Sequence, residues 1–180
     1  MPKKLCVAIL PQVRAATADV TPNMIADLDD LVSEAVAEVF RTMLERPIQR
    51  ARNEPSALNG DMQVAGAVGF TGKLTGVIYV YTSIGFALTI SSGLCGLPEE
   101  EIRDEDIVND TMGEIANMVM GQVKSRLADR GETCALTIPS VVRGGHFDIE
   151  PVSSTTAHRV SFDCGQGNQL VVDMLIKEDE

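Results

Sequence analysis

The sequence has few aromatic side chains and no tryptophan: five phenylalanines and two tyrosines are the whole aromatic content of its 180 residues. We therefore expect a core built mainly from the small and flexible side chains of glycine, alanine, valine and methionine. The hydrophobic fraction of 44% and the charged fraction of 23% are ordinary for a globular chain and argue against disorder. A chain of this length needs neither disulfides nor metal ions to fold, because it buries about two-thirds of its unfolded surface.

Basic residues are also scarce. Fifteen lysines and arginines stand against 26 acidic residues, which gives a net charge of −11. Such a surface disfavours binding to nucleic acid and to anionic membranes, because both are polyanions. No apolar run approaches the roughly 18 residues of a membrane span. The segment LCVAIL is too short for the core of a signal peptide and is followed by Pro11. We expect a cytoplasmic protein with no nucleic-acid partner and no membrane partner.

The cysteines and histidines are not clustered, and no CxxC pair occurs. The cysteines lie 30 to 89 residues apart, at Cys6, Cys95, Cys134 and Cys164. In a reducing compartment we expect them to be buried or partly buried thiols. A metal site that combines Cys164 with His158 and His146 is disfavoured, because these residues lack clustered ligand spacing. We expect both histidines in loops or on a surface strand, and no metal site.

Common catalytic motifs are absent or incomplete. HExxH, GxSxG and GxGxxG do not occur. The stretch GAVGFTGKLT resembles a phosphate-binding loop but departs from it twice, with Ala67 in place of a glycine and Leu74 in place of the magnesium-binding hydroxyl. Two β-rich runs flank Thr71-Gly72-Lys73, so a hairpin turn is the better interpretation.

Apolar periodicity predicts two long helices. The first begins after Thr21-Pro22 and ends before Pro47. Its apolar positions recur at spacings of three and four: Ile25, Leu28, Val32, Val36, Val39, Phe40 and Met43. The second long helix covers residues 105–129. Its apolar stripe consists of Val108, Met112, Ile115, Val119, Val123 and Leu127.

A short helix and several strands account for most of the rest. The helix FALTISSGLCGL is expected to end at Gly93 or Gly96. Four strand-like runs follow the second long helix: CALTIPSVV, GHFDIEPVS, HRVSFDC and QLVVDMLIK. GQGN at 165–168 is typical of the turn of a second hairpin.

Helices segregated from antiparallel hairpins indicate an α+β fold. We expect an antiparallel sheet of two hairpin-containing halves, with the two long helices packed on one face. Helix followed by hairpin occurs twice, which indicates a pseudo-duplicated arrangement. Residues 1–22 are expected to be an N-terminal extension, either strand or linker, and residues 23–180 a single domain.

The second long helix carries a polar stripe opposite its apolar one. Its members recur at spacings of four and three and therefore share one face: Asp110, Glu114, Asn117, Gly121 and Lys124. A carboxamide presents both a donor and an acceptor, so it can hold and orient a water molecule. A neighbouring carboxylate can bind the lysine or arginine of a partner. Phosphoryl transfer can be catalysed mainly by such positioning, although spacing alone is most often typical of a solvated helix face.

The stretch DIVNDTMGEIANMVMGQVKSRL resembles the signature helix of the CheX/CheC/FliY family of phosphatases, which act on phosphorylated CheY. The family pattern is Asp or Ser, three residues, Glu, two residues, Asn, and a later Pro. It matches Asp110, Glu114, Asn117 and Pro139, with 21 intervening residues before the proline, one fewer than usual. EVFRTML, GFTGKLTGVIYVYTS and LTIPSVVRGG are also similar to family segments, so the resemblance covers roughly residues 24–177. Gly121 matches a small residue that permits close packing in the family.

The resemblance implies a role for each polar residue. Glu114 forms a salt bridge with the lysine near the phosphorylated aspartate of the receiver, and Asn117 orients the attacking water. Asp110 and Lys124 contribute partner contacts. The magnesium ion belongs to the receiver, so the chain has no cofactor of its own. The partner implied is a phosphorylated CheY-like receiver protein.

The first long helix carries an incomplete copy of the motif. Asp30 and Glu34 match its acidic positions, but Ala37 stands where an asparagine is required. A single complete copy resembles CheX, which implies a homodimer joined through its sheet. Two alternatives stay open: a non-catalytic CheX-like or FliM-like domain that binds receivers or flagellar switch proteins, and an oligomeric scaffold whose acidic stripe is only a solvated face.

Overall fold

The computed structural model describes residues 22–52, 58, 62–145, 149–151 and 155–177, with the backbone alone for 22–27. Its helices are α1 (Pro22–Met43), α2 (Ile84–Cys95) and α3 (Glu105–Asp129). Its strands are β1 (Gln49–Arg50), β2 (Gln63–Gly72), β3 (Gly76–Ser83), β4 (Cys134–Leu136), β5 (Ser140–Gly144), β6 (Thr155–Asp163) and β7 (Gln169–Lys177). Of the expected extension over 1–22, only Pro22 lies within the described residues, as the first residue of α1.

The described strands form one antiparallel sheet. Their order is β1-β6-β7-β3-β2-β4, and β5 also pairs with β2. The hairpins β2–β3 and β6–β7 lie side by side because β3 pairs with β7. The predicted α+β fold, with a sheet of two hairpin-containing halves, is confirmed, and so are both hairpin turns.

The helices cover one face of this sheet. Alternate strand residues point to opposite faces, and those on the helix side join α1, α2 and α3 in the main core: Val64, Val68, Ile78, Val80, Val160, Phe162, Leu170, Val172 and Met174. The opposite face carries a smaller apolar cluster made by Leu58, Ala65, Tyr81 and Val171. The two-layer arrangement predicted for the long helices is therefore present.

The predicted helix faces agree with the structure, with one exception. Every member of the apolar stripe of α3 is buried, and the helix has the predicted bounds. In α1, the apolar positions from Leu28 to Phe40 are buried, but Met43 is 46% exposed. The expectation for Met43 is wrong: this last residue of α1 does not belong to the buried face of the helix. The side chain of Ile25 lies outside the described residues.

The ends of the two later helices have recognisable caps. The hydroxyl of Ser83 accepts a hydrogen bond from the Phe86 N–H at the start of α2. The helix ends at Gly96, whose φ of 65° lies in the left-handed region that glycine tolerates. Gly96, not Gly93, is thus the stop. At the start of α3, the Asp104 carboxylate accepts from the Asp106 N–H.

Two of the predicted strand runs are wrong in part. CALTIPSVV is not one strand, because β4 and β5 are separated at residues 137–139. GHFDIEPVS contains no strand where it is described: residues 149–151 have no regular structure, and Pro151 has no N–H to donate to a ladder. Residues 146–148 and 152–153 of that run lie outside the described residues.

The described thiols differ in exposure. Cys134 and Cys164 are partly buried, as expected, whereas Cys95 is exposed because it is the last residue of α2. Burial raises the pKa of the Cys164 thiol to about 12, and the nearby Asp163 carboxylate adds to the shift. Burial also raises the pKa of Cys134, and the charge of Lys124 opposes that shift. Cys6 lies outside the described residues.

His158 lies on a strand, as predicted, but not at the surface. It belongs to β6, and only 17% of its side chain is exposed. Its Nδ1 lies 3.5 Å from the Asp29 Oδ1 of α1, so the ring is held between helix and sheet. His146 lies outside the described residues.

The distance between α3 and the sheet is set at Gly66 of β2. A Cβ at that position would lie 2.1 Å from the carbonyl oxygen of Met112 and 3.0 Å from the Cβ of Ala116. Only glycine permits this approach, because the nearest atom belongs to the backbone and cannot rotate away. The close packing expected at Gly121 is wrong: a Cβ there would meet no atom within 4 Å.

Gly66→Ala is expected to lower the free energy of unfolding by about 1–3 kcal/mol, because the methyl group overlaps the helix backbone. Gly121→Ala is the matched control. It meets nothing, and alanine exceeds glycine in helix propensity by about 1 kcal/mol, so stability should stay unchanged or rise. Urea unfolding of both variants measures the difference. Similar losses in the two variants would contradict the close contact at Gly66.

Candidate functional site

The polar stripe of α3 lies on the open side of the helix. Asp110, Glu114 and Lys124 are exposed, whereas Asn117 and Gly121 are half-buried. The opposite side of α3 is in the core. The structure thus places the predicted site residues on one accessible face, with the asparagine set deeper than the acidic residues beside it.

The charged and amide groups of the stripe are not used within the described chain. Asp110, Glu114, Asn117 and Lys124 form no hydrogen bond or ion pair with other described residues. By contrast, the Glu105 carboxylate at the start of the same helix accepts a hydrogen bond from Arg143 at 2.8 Å. An unpaired carboxylate next to an unpaired carboxamide is available to a lysine and a water of a partner.

The incomplete motif on α1 has different surroundings. Asp30 and Glu34 are also exposed, at 79% and 68% of their side chains. However, Arg50 lies 3.5 Å from Asp30, and Arg126 lies 3.6 Å from Glu34. Both acidic groups therefore have cations of their own chain beside them, and Ala37 supplies no amide. Within the described residues, the motif on α3 therefore combines an unpaired carboxylate with an unpaired carboxamide, and the motif on α1 does not.

Pro139 lies beside the polar stripe. A Cβ on Gly113 would lie 3.7 Å from the Cβ of Pro139 and 3.5 Å from the Cγ2 of Val141. Gly113 directly precedes Glu114 and is one helical turn before Asn117. The structure therefore brings the distant proline of the sequence pattern to the edge of the site.

A β-bulge holds this proline in place. β4 and β5 pair with consecutive parts of β2 in registers that differ by one residue, so that residues 137–139 face only residues 68–69. The N–H of Gly69 donates to the Thr137 hydroxyl at 2.9 Å, and the N–H of Thr137 donates to the Gly69 carbonyl at 2.9 Å. We call residues 137–139 the bulge.

Lys124 stands apart from the acidic end of the stripe. Ten residues of helix separate it from Glu114, a rise of about 15 Å. Its charge lowers the pKa of the Cys134 thiol in β4, against the larger effect of burial. The stripe is therefore acidic at one end and basic at the other, and one small group on a partner cannot contact both.

Sequence reasoning missed two residues of this region. Gly113 allows Pro139 and Val141 to approach the helix, and Ile138 is 88% exposed in the bulge. A glycine within a helix costs about 1 kcal/mol relative to alanine, so its position one turn before Asn117 was a usable signal. Ile138 gave no local signal, because its exposure depends on the pairing of β4 and β5 with β2.

Within the described residues, no group of three His, Cys, Asp or Glu side chains is arranged to hold a metal ion. Among the described helices, none is long and apolar enough to cross a bilayer.

Comparison with known families assigns the chain to one of them. The family described as "Chemotaxis phosphatase CheX" matches residues 64–163, which is more than half of the sequence. The chain belongs to the CheX family. This assignment confirms the resemblance carried by the signature helix, and it makes the chain a member of a chemotaxis phosphatase family. A comparison with curated proteins finds no match.

Solved structures agree with the CheX family fold. CheX from Desulfovibrio desulfuricans is 22% identical with a TM-score of 0.70, covering 84% of this chain and 99% of that one. CheX in a CheX-CheY-BeF3-Mg+2 complex from Borrelia burgdorferi is 25% identical with a TM-score of 0.68, covering 83% and 97%. FliY from Thermotoga maritima is 20% identical with a TM-score of 0.61, covering 88% and 91%.

Proposed function

We propose that the chain is a phosphatase that hydrolyses the aspartyl phosphate of a CheY-like response regulator. The observation that carries the proposal is the pair Glu114 and Asn117, which lie one turn apart on an open helix face without partners in the described chain. Membership of a chemotaxis phosphatase family supports it. So does the Borrelia burgdorferi CheX, whose crystal structure is a complex with CheY, BeF3 and Mg2+.

Docking in this proposal begins with Glu114. Its carboxylate accepts a charge-assisted hydrogen bond from the lysine beside the phosphorylated aspartate of the receiver. Asp110, one turn away on the same face, adds a second polar contact. Lys124 contacts the receiver outside its phosphorylation site, because the distance from Glu114 is too long for both residues to reach one group.

The chemical step depends on Asn117. Its amide holds a water by a hydrogen bond and directs the oxygen lone pair at phosphorus. The water oxygen bonds to phosphorus while the bond to the aspartyl oxygen breaks, so the products are inorganic phosphate and a free aspartate carboxylate. The receiver supplies the lysine and the magnesium ion, and the chain contributes no cofactor of its own. Because Asn117 is half-buried, its side chain has fewer accessible rotamers than a fully exposed one.

Asn117→Ala is expected to lower kcat about 100-fold with little change in KM, because water positioning contributes only in the transition state. The assay follows phosphate release from a CheY-like receiver of the same organism, phosphorylated with a small-molecule phosphodonor. Asn109→Ala is the matched control: Asn109 is a half-buried amide of the same helix, and its Oδ1 is buried without a described partner.

Equal rates for wild type and Asn117→Ala would reject the proposed mechanism. If the receiver binds wild type tightly but its phosphate lifetime does not change, the chain is a binding domain without hydrolysis. A loss of activity in Asn109→Ala equal to that in Asn117→Ala would show that the helix, and not the stripe, is the sensitive element.

Glu114→Lys is expected to raise the Kd for the phosphorylated receiver at least tenfold, because it brings two like charges together. Glu34→Lys is the matched control, since Glu34 occupies the equivalent position of the incomplete motif on α1. Its exposed pair with Arg126 contributes little to stability. Binding is measured by titration calorimetry. Equal affinities for the two variants would contradict the docking role of Glu114.

We also propose that the protein is a homodimer joined through its sheet and that the polar stripe stays open in it. β5 pairs on one side with β2, and its other edge has no partner strand among the described residues. Light scattering should give twice the chain mass of 19.3 kDa. Glu114→Lys should leave that mass unchanged. A monomer, or a variant that dissociates, would contradict this arrangement.

A further inference from the structure

The bulge presents an unusually exposed apolar side chain. Ile138 is 88% exposed, whereas the other exposed large apolar residues of the described chain lie between 39% and 47%. Exposing an isoleucine to water forgoes about 1.5–3 kcal/mol relative to burying it. A side chain in this position gains that free energy only when another surface covers it.

Ile138 is held firmly and does not lie at the tip of a loose loop. On its N-terminal side, Thr137 exchanges two hydrogen bonds of 2.9 Å with Gly69. On its C-terminal side, Pro139 restricts the backbone and Ser140 begins the pairing of β5 with β2. A β-branched side chain also has a stiff χ1. Little conformational entropy is therefore lost when a partner covers Ile138.

The bulge adjoins the polar stripe. Pro139, the next residue after Ile138, lies against Gly113, and Gly113 is followed directly by Glu114. A typical interface covers about 800 Å² per partner, a patch of roughly 16 Å radius. A protein-sized partner that reaches Asn117 along α3 therefore covers the bulge as well.

The negative charges of the chain and of the phosphoryl group favour an apolar contact at the bulge. The chain carries a net charge of −11, and the phosphoryl group of the proposed partner is an anion, so long-range attraction between them is weak. Thr137, Ile138, Pro139 and Ser140 are uncharged. The bulge can thus approach an anionic surface without repulsion while Glu114 meets the receiver lysine.

We propose that Ile138 is an apolar anchor that inserts into a depression on the phosphorylated receiver, beside its phosphorylation site. The inference rests on the proposed function for the identity of the partner. It assigns binding to Ile138 and water positioning to Asn117. Substitution of Ile138 should therefore change KM, and substitution of Asn117 should change kcat. A residue that binds substrate and transition state equally changes KM and not kcat.

The test measures the Kd of the wild-type protein and variants for a receiver held in its phosphorylated-like state by beryllofluoride and Mg2+. Ile138→Ala is expected to raise this Kd about tenfold, and Ile138→Asp about 100-fold, with the midpoint of thermal unfolding unchanged. Met43→Ala is the matched control, because Met43 is an exposed apolar residue at the end of α1. It should leave the Kd unchanged. With phosphorylated receiver, Ile138→Ala should raise KM and preserve kcat.

Several outcomes would contradict the proposal that Ile138 binds the receiver. A Kd that does not change in Ile138→Asp, or that changes equally in Met43→Ala, excludes it. A fall in mass from dimer to monomer in Ile138→Asp would place Ile138 between two copies of this chain. Failure of wild type to bind the beryllofluoride receiver excludes the partner. Failure of the proposed hydrolysis alone gives a different result. Wild type would then bind the beryllofluoride receiver and the Ile138 variants would bind it more weakly, but wild type would release no phosphate from the phosphorylated receiver.

Discussion

The close contact between α3 and β2 determines the geometry of the candidate site. At Gly66 the carbonyl oxygen of Met112 occupies the space where any other residue would have a Cβ. This contact presses one side of α3 into the core, so the opposite side faces outwards. β2 pairs at the same time with β4 and β5, and hence it also positions the bulge. A single strand therefore sets the positions of both Asn117 and Pro139.

Local patterns were enough to predict most of the fold. The bounds of α3, a glycine stop for α2 at position 93 or 96 and both hairpins follow from apolar periodicity and turn residues, which act over a few positions. Pairing between distant strands is not a local property. The bulge could not be predicted from CALTIPSVV, because it arises from a one-residue difference in register along β2. For the same reason the exposure of Ile138 and the partial burial of His158 were not apparent.

The candidate site illustrates a similar limit. Spacing alone identified the stripe on α3, but it identified the incomplete motif on α1 as well. The structure separates the two by their surroundings: Arg50 and Arg126 lie beside Asp30 and Glu34, while Asp110 and Glu114 have no cation paired with them in the described chain. Pairing with a cation of the same chain competes with pairing to a partner. The asymmetry between the helices therefore depends on basic residues outside the motif as well as on Ala37.

In the proposed mechanism, the helix positions a water molecule and the bulge contributes binding, two tasks that are often combined in one pocket. An exposed helix face cannot enclose a substrate, and hence most of the binding energy must come from contacts around it. In the proposal the bulge provides such a contact in fixed geometry, because strands paired with β2 flank it on both sides. Proline is suited to this place, since the ladder does not require an N–H there. The proline of the family pattern can thus be explained by the surface that it supports, and not by chemistry of its own.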